Sequence, residues 1–213
     1  MSQNTENYYT IESECSDEIV VKKSRFIGTV YHVETEEEAL SIIQSAKKQY
    51  WDAKHNCYAY VIGQKSELMR FSDDGEPSGT AGKPILEVLK GRELTYTLVI
   101  VTRYFGGVLL GTGGLVRAYT DATVAGIEAG NVLNMRLQRK VVMTVDYNTV
   151  GKVKYSLSEM GINIVDEQYG EDVRLVTSID SMAVESIIDK ITDVTNGKAE
   201  FEKLDEGYFP TQN

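Results

Sequence analysis

Residues whose types and spacing suit anion binding are concentrated in the segment VTRYFGGVLLGTGGLVR, which runs from Val101 to Arg117. An apolar run ends at Arg103, and five glycines follow within nine residues: Gly106, Gly107, Gly111, Gly113 and Gly114. A strand, a glycine-rich turn and a helix N-terminus together present backbone N–H groups to a phosphate or a carboxylate. Arginine binds such groups through a planar fork of donors, and Arg103 and Arg117 flank the turn. The segment therefore predicts an anion site.

The expected helix begins near Gly114, with Thr112 as its N-cap and with the N–H groups of Gly113, Gly114 and Leu115 free for a ligand. The segment lacks the Gly-Lys-Ser/Thr ending of a Walker A loop. It also lacks the third glycine of the dinucleotide-binding motif, so neither nucleotide loop is predicted. The structural alternative is that the glycines allow close helix–strand packing and turns with positive φ.

Three carboxylates, Asp73, Asp74 and Glu76, lie within four residues in a loop rich in glycine and proline. Such a group suits a hard cation, and Mg²⁺ is the one cofactor that the sequence suggests. The alternative, which is favoured, is turn chemistry with Ser78 or Thr80 capping the next helix. Lys83 would then neutralise the acids or extend a basic surface.

Two further pairs of side chains have a chemical interpretation. His55 and Cys57 lie two residues apart, so both would point to one face of a strand. A Cys/His nucleophile also needs contact between the two groups and a third group to orient them, so a packed Cys57 is favoured. Tyr104 and Phe105 follow Arg103 directly and would stack on unpaired bases if exposed, or belong to the core if buried.

These residues must be positioned by an N-terminal α/β region whose elements can be predicted from periodicity. Thr35 and Glu38 form a capping box at the start of the first helix. The predicted elements are extended runs within 19–33, a helix over 36–51, a hairpin of 57–62 with 68–72, a short helix over 85–90, a central strand over 95–102 and a helix over 114–128.

The remaining elements follow a different order. They are a strand over 140–146, a helix over 150–160, strands over 162–169 and 173–179, a helix over 182–191 and a strand over 199–204. The order βαββαβ is that of a ferredoxin-like split βαβ sandwich. We therefore predict two domains, 1–137 and 138–213.

Composition narrows the class of protein. The chain has 213 residues, of which 42% are hydrophobic and 25% are charged, so it can bury a core. It contains no apolar run near the ~20 residues of a membrane span. The N-terminus has no signal-peptide pattern, and two cysteines form no disulfide framework, which predicts a cytoplasmic protein without a membrane partner.

The distribution of charge is uneven. The net charge of −10 argues against nonspecific binding of nucleic acid. The segment from Lys83 to Lys140 nevertheless carries eight basic and four acidic residues. The glycine-rich segment therefore lies in a locally basic part of an acidic protein.

Three motifs together resemble the YigZ/IMPACT family, the UPF0029 type. They are AKHNCYAYVIG over 53–63, DDGEPSGTAGKPIL over 73–86 and VTRYFGGVLLGTGGLVRAYTDA over 101–122. Within the third motif, the run from Arg103 to Gly107, followed by Gly111, matches the core of the family pattern. The resemblance covers residues 15–135 by motif. The C-terminal region fits the small domain of bacterial members by pattern.

This resemblance implies an α+β fold. The N-terminal domain would be an α/β domain like the second domain of ribosomal protein S5. The C-terminal domain would be ferredoxin-like and similar to domains of elongation factor G. Eukaryotic members of the family regulate translation initiation by interfering with the activation of a stress-responsive kinase that phosphorylates an initiation factor. This chain has the bacterial two-domain layout.

The function expected on these grounds is that of an accessory factor or regulator of translation. It would bind RNA, the ribosome or a translation-related protein through residues 73–83 and 103–119. The alternative is an enzyme acting on a small phosphorylated or acyl substrate at a cleft of Asp73, Asp74, Arg103 and Gly113, with Arg103 and Arg117 as clamps. A third interpretation is a purely protein-binding module for a basic partner.

Overall fold

The computed structural model of the chain describes residues 7–211. Within that range the chain forms ten strands and five helices in two antiparallel sheets, which confirms the predicted α+β class. The chain divides into two compact units, Met1–Asn134 and Met135–Asn213, and the division falls inside the long strand Val132–Val145. Among the described residues, no helix is long and apolar enough to cross a membrane.

The first unit contains six strands and three helices before the long strand. The strands are β1 (Asn7–Ile11), β2 (Cys15–Val21), β3 (Ser24–His32), β4 (His55–Ile62), β5 (Leu68–Ser72) and β6 (Thr97–Tyr104). The helices are α1 (Glu36–Gln49), α2 (Gly82–Gly91) and α3 (Gly111–Glu128). The predicted capping box is half formed, because Thr35 accepts from the N–H of Glu38 while the Glu38 carboxylate accepts from the N–H of Glu34.

The first sheet has the strand order β2-β3-β6-β4-β5, so the apolar strand β6 is central. Side chains alternate between the two faces of a strand, and both faces of β6 are covered by helices. Leu98 and Ile100 pack towards α1, whereas Val99 and Val101 pack towards α2 and α3. The same alternation places Arg103 on the face of α2 and α3.

Strand register then brings separate parts of the sequence together at one end of the sheet. Arg103 of β6 lies opposite Phe26 of β3 on one side and opposite His55 of β4 on the other. Close helix–strand packing occurs at two glycines outside the glycine-rich segment, Gly28 and Gly126. A Cβ on either would overlap the backbone of the facing element, so α3 lies directly against β3.

The second unit has the strand order β10-β7-β9-β8 with antiparallel pairing throughout. Its elements are β7 (Val132–Val145), α4 (Val150–Glu159), β8 (Ile164–Tyr169), β9 (Val173–Asp180), α5 (Val184–Val194) and β10 (Glu200–Pro210). This is the ferredoxin-like βαββαβ arrangement that the sequence predicts. Its core joins alternate residues of β7 and β9, such as Met143 and Leu175, to Leu157 of α4 and Ile191 of α5.

Candidate functional site

A cleft of about 380 Å³ opens in the first unit where β4 and β6 meet the start of α3. Its polar lining comes from five residues on four segments: Lys54, His55, Glu76, Arg103 and Thr112. Its size falls in the lower part of the range of small-ligand pockets, roughly 300–1,000 Å³. We refer to it below as the cleft.

The apolar lining of the cleft comes mainly from the loop between β6 and α3. Phe105, Leu109 and Leu110 belong to that loop, Leu115 follows on α3, and Pro77 faces them from the loop before α2. Leu109 is 83% exposed and Phe105 is 47% exposed. Large apolar side chains with this exposure at the edge of a cleft are available to a ligand.

The floor of the cleft is a buried ion pair. Arg103 Nη1 donates to Glu76 Oε1 at 2.5 Å, and both side chains are more than nine-tenths buried. The Tyr119 hydroxyl donates to the same oxygen at 2.9 Å. The Arg103 guanidinium lies between the rings of Phe26 and Phe105, 5.3 and 5.7 Å from their centroids. The charge of Arg103 is therefore compensated by Glu76, and its position is fixed.

Cys57 lies next to the floor residues and contacts Tyr119 and the backbone of Asp73. Its thiol donates to the carbonyl oxygen of Asp73 at 3.0 Å and lies 3.4 Å from the Tyr119 hydroxyl. Burial raises the pKa of the Cys57 thiol to about 12, and it also raises the pKa of Tyr119 strongly. Because a thiolate is the reactive form, Cys57 is a packed residue and not a nucleophile at neutral pH.

His55 forms the polar wall next to Arg103. Its Nδ1 lies 2.8 Å from the carbonyl oxygen of Asp74, an atom that only accepts, so Nδ1 carries the proton. Its Nε2 lies 3.8 Å from Glu76 Oε1. The ring is thus held with Nε2 on the side of the buried carboxylate.

Asp73 stabilises the start of α2. One carboxylate oxygen accepts the N–H groups of Ala81 and Gly82 at 3.0 and 2.8 Å, and the other accepts the N–H of Gly79 at 2.8 Å. The prediction that Ser78 or Thr80 caps this helix is therefore wrong. The Asp73 carboxylate reaches the free N–H groups from a position eight residues earlier in the chain than Ala81.

Asp74 has different partners from those of Asp73 and Glu76. Its two oxygens accept from Lys47 Nζ at 2.6 Å and from the N–H of Asn56 at 2.7 Å. The three carboxylates thus face three separate sets of donors. Within residues 7–211, no three His, Cys, Asp or Glu side chains are grouped to hold a metal ion. The bonds of Asp73 and Asp74 to backbone N–H groups are those of turn chemistry, the interpretation that the sequence favours.

The start of α3 differs from the prediction by one turn of helix. The helix begins at Gly111, which has a φ of +71°, and Leu110 occupies the N-cap position without a side-chain hydrogen bond. The N–H groups left without an intrahelical partner are those of Leu110, Gly111, Thr112 and Gly113. Thr112 is therefore not the N-cap, and Gly114 and Leu115 are not the free donors. Gly111 and Thr112 line the cleft.

The glycines of the segment serve different purposes. The N–H of Gly106 donates to Ser24 Oγ at 3.0 Å, and a Cβ at Gly106 would overlap the backbone of Lys23. Gly107 has a φ of +84°, which glycine adopts without strain. A Cβ on Gly113 would meet nothing within 4 Å. Packing therefore requires Gly106, and the turn favours Gly107, but neither reason applies to Gly113.

Nine predicted residues lie outside the cleft lining: Asp73, Asp74, Lys83, Tyr104, Gly106, Gly107, Gly113, Gly114 and Arg117. The Tyr104 hydroxyl donates to Asp52 Oδ1 at 3.0 Å, and the Arg25 guanidinium lies 5.4 Å from the Tyr104 ring centroid. Lys83 and Arg117 are exposed on α2 and α3. Of the predicted set, the cleft brings together Glu76, Arg103, Phe105, Gly111 and Thr112.

Sequence reasoning missed Lys54 and the apolar residues Leu109 and Leu110. Lys54 directly precedes His55, which the register of β4 against β6 places opposite Arg103, and Lys54 and Arg103 both line the cleft. Leu109 and Leu110 lie between the two groups of glycines. Two apolar residues in a turn were the sequence feature that could have identified them as site residues. Leu110 packs partly against the core, whereas Leu109 is exposed.

The profile of the Impact N-terminal domain matches residues 22–127, which include the whole cleft, and a domain of unknown function (DUF1949) matches residues 143–198. The IMPACT family member YvyE of Bacillus subtilis is 42% identical over 203 residues, covering 95% of this chain and 94% of the relative. This chain belongs to the IMPACT family. The Escherichia coli member YigZ is 33% identical and covers 87% of this chain.

A solved structure supports the fold of this IMPACT family protein over nearly its whole length. The crystal structure of a hypothetical protein matches with a TM-score of 0.60 at 30% identity. The match covers 94% of this chain and 98% of the other. The family assignment thus agrees with the three sequence motifs on which the resemblance rests.

Proposed function

We propose that this IMPACT family protein is an accessory factor of translation that acts in the cytoplasm by binding a phosphate group of RNA in the cleft. Membership of a family whose eukaryotic members regulate translation initiation supports a role in translation. The hydrogen-bond donors that line the cleft support a phosphate group as the ligand.

The observation that carries the proposal is the position of the α3 N-terminus. Unpaired N–H groups at Gly111 and Thr112 line the cleft, where the helix dipole adds a partial positive charge. Lys54 is exposed on the same lining and supplies a full charge. An oxyanion between them would accept several charge-assisted hydrogen bonds.

The aromatic rim supports RNA as the source of the phosphate. Phe105 is 47% exposed and lies next to these donors on the cleft lining. An unpaired base stacked on such a ring contributes about 1–3 kcal/mol to binding. Phosphate donors and a stacking surface in one cleft are the two elements that single-stranded RNA requires.

The test is binding of a fluorescent single-stranded RNA, followed by anisotropy at low and high salt. Affinity should fall with salt, with a logarithmic slope of about −0.7 for each phosphate contacted. The Lys54→Ala variant should lose about five- to tenfold in affinity and one phosphate contact from the slope.

The matched control is Lys83→Ala, which removes the same charge from an exposed site on α2 outside the cleft. It should leave both affinity and slope unchanged. Equal effects of the two variants would show binding to a diffuse basic surface. Absence of binding at about 50 mM salt would refute RNA as the ligand.

The orientation of His55 supports a second candidate, an enzyme for a small phosphorylated or acyl substrate. With Nδ1–H donating to the carbonyl of Asp74, Nε2 is the atom left to accept a proton from an attacking water. Hydrolysis of aryl phosphate and aryl acetate esters tests this candidate. Turnover that is lost in His55→Gln but kept in Lys83→Ala would support it, and no turnover of either ester would exclude hydrolysis of these two ester classes.

A further inference from the structure

We infer that the cleft takes a terminal phosphate monoester, together with the one nucleoside attached to it, and not an internal phosphodiester of a longer strand. This inference rests on the proposed function and names the part of the RNA that is bound. Three features of the cleft carry it: its size, a buried donor without an acceptor, and the separation of its polar and apolar linings.

The size of the cleft fits one nucleotide and not a run of them. Its volume of about 380 Å³ is near the lower bound for small-ligand pockets. The basic side chains that would follow a longer backbone, Lys83 and Arg117, do not line it. A strand passing through would therefore meet no continuous series of cations, and the net charge of −10 would oppose it.

The buried donor is Arg103 Nε. Arg103 lines the cleft with a side chain that is 7% exposed, and its Nε has no hydrogen-bond partner among residues 7–211. A buried donor without an acceptor costs about 1–3 kcal/mol, and more when the group is charged. A ligand oxygen that reaches this wall would remove that cost. This observation is independent of the helix N-terminus and points to the same kind of ligand.

The cleft offers more hydrogen-bond donors than the two terminal oxygens of a phosphodiester can use. Arg103 Nε, Lys54 and the N–H groups of Gly111 and Thr112 can serve three oxygens. Because Glu76 compensates the charge of Arg103, Lys54 and the α3 dipole supply the positive charge, about 1.5 in all. A phosphate monoester has three terminal oxygens and a charge of about −1.5 to −2 at pH 7. An internal phosphodiester has two such oxygens and a single charge, so it would leave donors unpaired.

The apolar lining accounts for the rest of the ligand. Phe105 and Leu109 are the exposed part of an apolar lining that also includes Leu110, Leu115 and Pro77, and free phosphate has no apolar group to place against it. A planar base attached through a sugar would cover these side chains and remove apolar area from water. The cleft therefore prefers a nucleotide to inorganic phosphate.

The experiment compares RNA oligonucleotides of one short sequence that differ only at their ends. One has a 5′-phosphate, one has a 3′-phosphate and one has hydroxyl groups at both ends. Anisotropy of an internally labelled strand measures their affinities for the full chain. One phosphorylated end should bind at least about tenfold more tightly than the hydroxyl strand, and the identity of that end names the source of the monoester.

The results separate this inference from the proposed function. Equal affinities for the three oligonucleotides would overturn the inference while RNA binding stands. No binding by any of them at low salt would overturn the proposed function itself. The nucleoside monophosphate with its phosphate at the same position, 5′ or 3′, as the tighter strand should compete as strongly as that strand, and much weaker competition would contradict a one-nucleotide site.

A pair of apolar variants tests the role of the apolar lining. Leu109→Ser should weaken competition by the nucleoside monophosphate about fivefold while leaving competition by inorganic phosphate unchanged. Val116→Ser is the control, because Val116 is exposed on α3 outside the cleft lining. Equal competition by inorganic phosphate and the nucleoside monophosphate would overturn the part of the inference that concerns the nucleoside.

Discussion

The buried floor of the cleft and its exposed rim belong to one lining, but their side chains differ in burial and in bonding. On the floor, Arg103, Glu76 and Tyr119 are buried and bond to one another. On the rim, Lys54 and Leu109 are exposed. Two glycines of the same segment, which lie outside the cleft lining, also differ: a Cβ at Gly106 would overlap backbone, whereas one at Gly113 would meet nothing within 4 Å.

This contrast shows that residues of one motif have separate physical roles. Glu76 and Tyr119 bond to partners within the floor, so changing them should mainly alter stability. The rim residues leave backbone donors and apolar surface unused, so changing them should mainly alter binding. Variants of the two regions should therefore differ in stability and in binding.

Breaking the ion pair on the floor should cost the most stability. Glu76→Gln leaves the buried Arg103 guanidinium without a counter-charge, and loss of one partner of a buried pair costs about 3 kcal/mol. Urea denaturation measures the change. Glu87→Gln is the control, because Glu87 pairs with Lys90 on the surface, where the effect should stay within about 0.5 kcal/mol. Equal losses in the two variants would contradict a stabilising floor.

The two glycine positions should respond in opposite directions. Gly106→Ala forces the backbone at Lys23 and Ser24 to move and should cost about 2 kcal/mol in the free energy of unfolding. Gly113→Ala adds a methyl group in open space inside α3 and should gain up to about 1 kcal/mol from helix propensity. Denaturation of both variants gives the signs. Destabilisation by Gly113→Ala would show that packing or backbone conformation requires glycine at position 113.

Alkaline pH should weaken the floor through Cys57. Because burial raises the pKa of this thiol from 9.0 to about 12, its contribution to stability is complete below pH 9 and is lost as the pH rises towards 12. The free energy of unfolding should fall by up to about 1.4 kcal/mol per pH unit in that window. Urea titrations of the wild type and Cys57→Ala should show a shallower pH slope in the variant. Identical slopes would contradict burial of the thiol.

Much of the fold could be predicted from local sequence. Apolar periodicity, turn glycines and the Thr35 cap predicted the helices and most strands, because these features depend on neighbours in the chain. The βαββαβ order predicted the ferredoxin-like unit for the same reason. Helix starts were less accurate, since α2 begins at residues capped by the distant Asp73.

The candidate site was predictable only in part. Arg103, Phe105, Gly111 and Thr112 were found from the glycine-rich pattern, and all four line the cleft. Arg117 was predicted as an equal partner of Arg103 but lies outside the cleft lining. A pattern of residue types identifies a binding segment, but it does not say which of its charges are exposed.

The sequence by itself determined the family, the α+β class and the glycine-rich segment at which β6 meets α3. The tertiary structure decided that Arg103 is paired with Glu76 on the floor, that Asp73 and Asp74 hold backbone in place, and that Lys54 completes the rim. The reason is strand register. Pairing of β4 with β6 sets His55 opposite Arg103, and such contacts between distant residues leave no mark in the spacing of either strand.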